Sequence, residues 1–132
     1  VFGLPAARLG IGYSFLNMKR LVDLIGPAFA KEILFTANRY SAQEALSMGL
    51  VNKIVKPEEL ESAVLKIARR IVDNAPLTIQ TAKLTVEELM KSESERNERK
   101  CQNAIDRCMG SEDYTEGRRA FMEKRNPKFK GR

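Results

Sequence analysis

The 132-residue sequence contains no histidine, two cysteines and no tryptophan. Without histidine, the chain by itself cannot supply Ser-His-Asp or Cys-His catalysis, or most zinc sites. Ser14 lacks the strand–turn–helix setting of a nucleophile elbow. Gly10, Gly12 and Gly26 lack the further glycine or the G-K-[ST] ending that makes a phosphate loop, and read as tight turns. The carboxylates are numerous but poorly placed for proton transfer. Glu58, Glu59 and Glu61 fall in a first helical turn, where they favour the helix dipole. Glu93, Glu95 and Glu98 alternate with Arg96, Arg99 and Lys100 in a solvated, ion-paired pattern. No pair of acids lies in an apolar setting that would raise a pKa for acid–base work. Read from its residues alone, the chain holds no complete catalytic constellation.

Cys101 and Cys108 are seven residues apart in a helical-looking stretch. On a helix that spacing separates them by about 10 Å along the axis, on one face, too far to bridge. They are expected to be reduced core thiols, and a reducing compartment fits them best.

The charge is uneven. The whole chain carries a formal +6, and residues 117–132 hold seven basic groups against the single acid Glu123. Arg118, Arg119, Lys124, Arg125, Lys128, Lys130 and Arg132 therefore account for the entire excess. Such a patch suits phosphates, whether on a nucleic acid or on a phosphorylated cofactor, or is a solvated tail. With 7% aromatic residues and no tryptophan, a base-stacking platform is not expected, which leaves nucleic-acid binding a weak alternative.

A hydrophobic fraction of 43% and a charged fraction of 30% describe an ordinary globular chain. No apolar run reaches membrane-spanning length, and no signal peptide is apparent. The opening Val1-Phe2-Gly3 reads as an interior cut. VFGLPAARLG suits a brief strand and a turn. From Ser14 a helical pattern runs to Gly26, and Pro27 opens a second helix through Ala37. Ser41 and Glu44 form an S-x-x-E capping box for a short helix ended by Gly49, followed by an extended Leu50–Val55. Leu60, Ala63, Val64, Ile67, Ala68, Ile71 and Val72 keep the spacing of an amphipathic helix. Another helix follows Pro76, with Ile79, Ala82, Val86 and Leu89 inward. After a charged connector, one helix carries Cys101 to Met109, and a last one runs from a Ser111 cap through Arg125. Some six helices and at most two short strands make no sheet of their own. The pattern is that of the helical end of a longer fold.

FGLPAARLG, followed by the run from Gly12 to Leu60, resembles the enoyl-CoA hydratase/isomerase (crotonase) family. Arg20, Leu21, Gly26, Ala30, Glu32, Thr36, Ser41, Ala42, Glu44, Ala45, Gly49, Leu50 and Val51 fit its pattern. Glu116-Gly117, Ala120 through Arg125, and Phe129 look like its terminal helix. The resemblance implies a mainly α chain, the C-terminal helical part of a crotonase-like α/β (ββα spiral) fold with one or two short strands. Residues 1–57 would be the last part of the core, and residues 58–132 the helical trimerisation region.

The function implied is action on an acyl-CoA thioester, with enoyl-CoA hydration or isomerisation the best single label. Coenzyme A enters as part of the substrate, and no prosthetic group is implied. A pair of backbone N–H donors polarises the thioester carbonyl as an enolate develops, and carboxylates move the protons. Those donors and one catalytic glutamate belong to the half not present here, so this chain alone is expected to be inactive. The second family glutamate follows the proline of FG-x-PE, and that position is Ala6. A methyl group carries no proton, which puts two-glutamate hydration in doubt and supports a non-catalytic acyl-CoA-binding or scaffolding member as the alternative. RNA binding through the tail is weaker still. For cofactor binding the resemblance points to Lys124, beside the phosphorylated adenosine end of CoA, with Phe121 one turn earlier facing the adenine. It further implies a homotrimer or hexamer, no membrane partner, and a cytoplasmic location (mitochondrial matrix in a eukaryote); the missing N-terminal half as a separate chain is a further candidate partner.

Overall fold

The computed structural model describes residues 1–132 as two compact units, Val1–Glu59 and Leu60–Arg132. The first contains α1 (Ala6–Leu9), α2 (Phe15–Thr36) and α3 (Ala42–Ser47). Ser14 caps α2 by accepting the Asn17 N–H at 3.4 Å. Within α2, Gly26 leaves helical geometry at φ 76°, ψ 164°, a conformation closed to most side chains, and Pro27 restarts the helix directly after it. The two halves of α2 thus match the helix pair that the sequence indicates on either side of Gly26.

The core of this unit is built from Ile25, Ala30, Ile33, Tyr40 and Met48, with Leu4, Leu21, Val22 and Leu50 packed around it. The N-terminal strand expected from VFGLPAARLG reduces to one antiparallel bridge. Phe2 and Tyr40 exchange backbone hydrogen bonds at 2.9 and 2.8 Å. The next residue must be small: a Cβ on Gly3 would stand 2.8 Å from the Asn38 carbonyl oxygen. Residues 6–9, read from the sequence as turn, form a helical turn instead.

The capping box is present as the sequence indicates. Ser41 Oγ accepts the Glu44 N–H at 3.2 Å, and the Glu44 carboxylate accepts the Ser41 N–H at 2.7 Å. The Ser41 N–H, and then the Ser41 hydroxyl donating to the same carboxylate, hold the Glu44 carboxyl below its ordinary value. Gly49 follows at φ 79°. Leu50–Val55 is irregular and pairs with no strand.

The second unit contains α4 (Leu60–Val72), α5 (Pro76–Leu89), α6 (Glu98–Met109) and α7 (Glu112–Met122). α5 and α6 form its main packed pair. Thr81 Oγ1 donates to the Ala104 carbonyl at 3.2 Å, across that contact. The inward face of α5 differs from the one read off the sequence. Glu88 is buried and Leu77, Ile79, Thr81, Leu84 and Thr85 are half-buried, so Ile79 lies inward as expected, while Ala82, Val86 and Leu89 are exposed. Periodicity finds an apolar stripe but does not say which neighbour covers it, and here α6 covers the adjoining, partly polar face. The thiols of Cys101 and Cys108 are free and half-buried, less enclosed than core thiols. α4 forms as the sequence indicates but buries none of its residues in this unit. No helix is long and apolar enough to cross a membrane.

Candidate functional site

The chemically distinctive region is the turn after α7. Ser111 begins the helix by accepting the Tyr114 N–H at 3.0 Å, while its own hydroxyl donates to the Cys108 carbonyl at 2.7 Å. The helix ends at Met122, three residues short of the Arg125 terminus that the sequence suggests. Two bonds close it: the Arg125 N–H to the Ala120 carbonyl at 3.1 Å and the Lys124 N–H to the Phe121 carbonyl at 3.2 Å. This pairing requires a left-handed residue just past the helix, a place that glycine ordinarily takes. Lys124 takes it, at φ 53°. A side chain there costs on the order of 1 kcal/mol.

That geometry corrects the relation expected between Phe121 and Lys124. They do not share a helical face, because Lys124 is outside the helix. A backbone bond joins them instead. Phe121 is 83% exposed and, with Thr81, Ile105, Tyr114 and Phe129, lines an apolar groove of about 630 Å³.

The residues around Lys124 are tightly tied. The Arg125 guanidinium donates from Nη1 to Glu116 Oε1 at 2.6 Å and from Nη2 to Oε2 at 2.9 Å, a two-pronged contact. Its Nε donates to Glu123 at 2.5 Å. Glu116 also accepts the Lys128 N–H at 2.9 Å. One turn earlier on α7, the buried Asp113 accepts the N–H groups of Lys130 and Gly131 at 2.6 and 2.8 Å. Two carboxylates of α7 therefore hold the returning tail alongside it. The Arg125 bonds, and then the Lys128 N–H, lower the Glu116 carboxyl from 4.5 to about 2. In return the Arg125 guanidinium is held more firmly protonated.

Several charges of the basic tail are consumed in this way. Arg125 pairs with Glu116 and Glu123, and Arg132 faces Glu112 at 3.3 Å. The ammonium groups of Lys124, Lys128 and Lys130 face no carboxylate within ion-pair distance.

Ala6 lies in α1 of the first unit, 5% exposed, and its carbonyl accepts the Ile11 N–H at 3.1 Å. A buried methyl stands at the position where the resemblance puts a carboxylate. No three His, Cys, Asp or Glu side chains converge to hold a metal ion. Sequence reading assigned no role to Glu116, Arg125 or Asp113 within the site. Glu116 and Arg125 are nine residues apart with a helix end between them, so no helical period links them. A left-handed residue without a glycine hid that end.

The family model for enoyl-CoA hydratase/isomerase matches residues 1–132. The chain belongs to the enoyl-CoA hydratase/isomerase family. Within it, the chain is 41% identical over 128 residues to a crotonyl-CoA hydratase of Syntrophomonas wolfei, covering 97% of this chain and 49% of that protein. It is 38% identical over 124 residues to a short-chain-enoyl-CoA hydratase of Clostridium acetobutylicum, covering 94% and 48%. Its structure superposes on an enoyl-CoA hydratase subunit I of Geobacillus kaustophilus with a TM-score of 0.81 at 35% identity, over 99% of this chain and 51% of that one. The chain therefore spans about half the length of the relatives it matches, and its mainly helical architecture is that of one half of the crotonase fold.

Proposed function

We propose that the chain is the C-terminal half of a protein acting on an acyl-CoA thioester, with hydration or isomerisation of an enoyl-CoA as its reaction. Lys124 carries this reading. Its ammonium has no acidic partner, its backbone is fixed by the two closing bonds of α7, and its N–H donates to the carbonyl of Phe121, whose side chain is exposed. An exposed aromatic ring and an uncommitted cation three residues apart at one helix end are the side-chain types that a purine carrying a phosphate needs. Coenzyme A is then a substrate component, bound at its adenosine end by Lys124 and Phe121. The thioester chemistry belongs to the half of the fold outside this chain, so the isolated 132 residues are inactive. The exposed apolar stripes of α4 and of Val86 and Leu89 support assembly into a homotrimer or hexamer. A cytoplasmic location, or a mitochondrial matrix in a eukaryote, accompanies the reading.

Ala6 favours a second reading, in which the protein binds acyl-CoA without turning it over. Crotonyl-CoA hydration by the full-length protein and its Ala6→Glu variant separates the two. If the thioester site is organised for catalysis around one remaining glutamate, the variant gains rate within the range of about 10²–10⁴-fold that a general acid–base group contributes. An inactive wild type and an equally inactive, folded variant would favour the binding-only reading.

A further inference from the structure

We infer that the Glu116–Arg125 pair is a positioning clamp for Lys124, setting how strongly the protein distinguishes a phosphorylated adenosine from an unphosphorylated one. The inference rests on the reading of Lys124 as the phosphate contact. Lys124 sits in a backbone conformation that a lysine does not choose by itself, and something must hold it there. The residue that follows is gripped by two parallel N–H···O bonds from its guanidinium to Glu116. Glu116 also accepts the Lys128 N–H, so one carboxylate holds the chain on both sides of Asn126-Pro127. Planar two-pronged geometry restrains orientation as well as distance, which one ammonium–carboxylate contact would not do. The lowered Glu116 pKa agrees with a carboxylate that stays ionised across the physiological range.

Asp113 supplies a natural comparison. It also ties the tail to α7, but through Lys130 and Gly131, beyond the turn that carries Lys124. A clamp acting on Lys124 predicts that the two carboxylates differ in their effect on phosphate discrimination. General ordering of the tail predicts that they act alike.

The test measures Kd for CoA and for dephospho-CoA in the full-length protein by calorimetry, and takes their ratio as the discrimination. Wild type, Lys124→Ala, Glu116→Gln, Arg125→Lys, Asp113→Asn and the double variant Glu116→Gln/Lys124→Ala are compared, each with its Tm recorded. The expected result is a loss of discrimination of about three-fold or more in Glu116→Gln, within the range of coupled neighbours. Arg125→Lys, which keeps the charge but loses the fork, should lose discrimination as well. The double variant should lose no more than Lys124→Ala alone, and Asp113→Asn should keep the wild-type ratio even where its Tm falls. If Lys124→Ala leaves the ratio unchanged, the Lys124 reading itself fails. If Lys124→Ala lowers it while Glu116→Gln does not, or if the two losses simply add, the clamp is overturned and the Lys124 reading survives. Equal losses in Asp113→Asn and Glu116→Gln would also overturn it, because the tail as a whole would then be responsible.

Discussion

The Glu88 carboxylate accepts the Asn97 backbone N–H at 3.0 Å, closing the connector between α5 and α6. Glu88 is 4% exposed, and it also receives the Lys91 ammonium at 2.7 Å. A buried carboxylate persists only when its oxygens are satisfied in this way. Those bonds, from Lys91 and then Asn97, hold its pKa below the ordinary value. Glu88→Ala leaves the Asn97 N–H and the Lys91 charge without their partner, and should lower Tm by several degrees. Glu88→Gln retains an acceptor for Asn97 and should cost less. Thermal unfolding of the two variants checks the order, and equal Tm values would contradict it.

Acid should weaken the molecule through the same kind of group. Glu116 has a folded pKa of about 2 against an ordinary 4.5. The unfolded chain therefore binds more protons between those values. Stability from this carboxylate is fully present above about pH 4.5 and is lost as pH falls towards about 2. Glu44 and Glu88 are shifted in the same direction and add to the slope. Unfolding free energy measured across that window should fall less steeply in Glu116→Gln than in wild type. An unchanged slope would contradict the assignment.

Lys124→Gly separates stability from function. Glycine takes a φ of 53° without the side-chain cost. The variant should be more stable by about 1 kcal/mol, while its affinity for CoA falls. Denaturant unfolding and calorimetry on one preparation give both quantities. Lower stability would mean that φ at this position is not under strain.

Assembly gives a further expectation. α4 buries none of its residues within its own unit, and Leu60, Val64, Ile67 and Ile71 remain about half exposed along it. Surface of that kind is ordinarily covered, here by the other half of the fold or by a partner subunit. Light scattering should find the full-length protein as a trimer or a pair of trimers. A monodisperse monomer at micromolar concentration would contradict this.

Helix starts were the most legible feature of the sequence. Ser14, the Ser41/Glu44 box, Pro76 and Ser111 each act through a bond or a constraint within three residues. The end of α7 was not legible, because Lys124 occupies the place where glycine would announce the stop. The inward face of α5 was misread for a related reason. Apolar residues at Ala82, Val86 and Leu89 mark a surface that needs cover, but α6 packs against a face carrying Thr81 and Glu88. The N-terminal strand needs neighbours that this half of the fold does not supply, so only the Phe2–Tyr40 bridge remains. Of the candidate site, Lys124 and Phe121 came from family resemblance. The contacts that fix them span a helix end and a bend, and local spacing carries no trace of those.

The central claim is that Lys124 recognises the phosphorylated end of coenzyme A, and salt-dependent binding tests it most directly. Titration of the full-length protein with CoA and with dephospho-CoA, at low ionic strength and near 1 M, isolates the phosphate contribution. An exposed lysine–phosphate contact should be screened strongly at about 1 M salt, where the Debye length is about 3 Å. Lys124→Ala should therefore weaken CoA more than dephospho-CoA at low salt, and the difference should shrink at high salt. Lys130→Ala should change little. Equal weakening of both ligands, or a Lys130→Ala effect as large as that of Lys124→Ala, would contradict the account and leave the tail a generic basic patch.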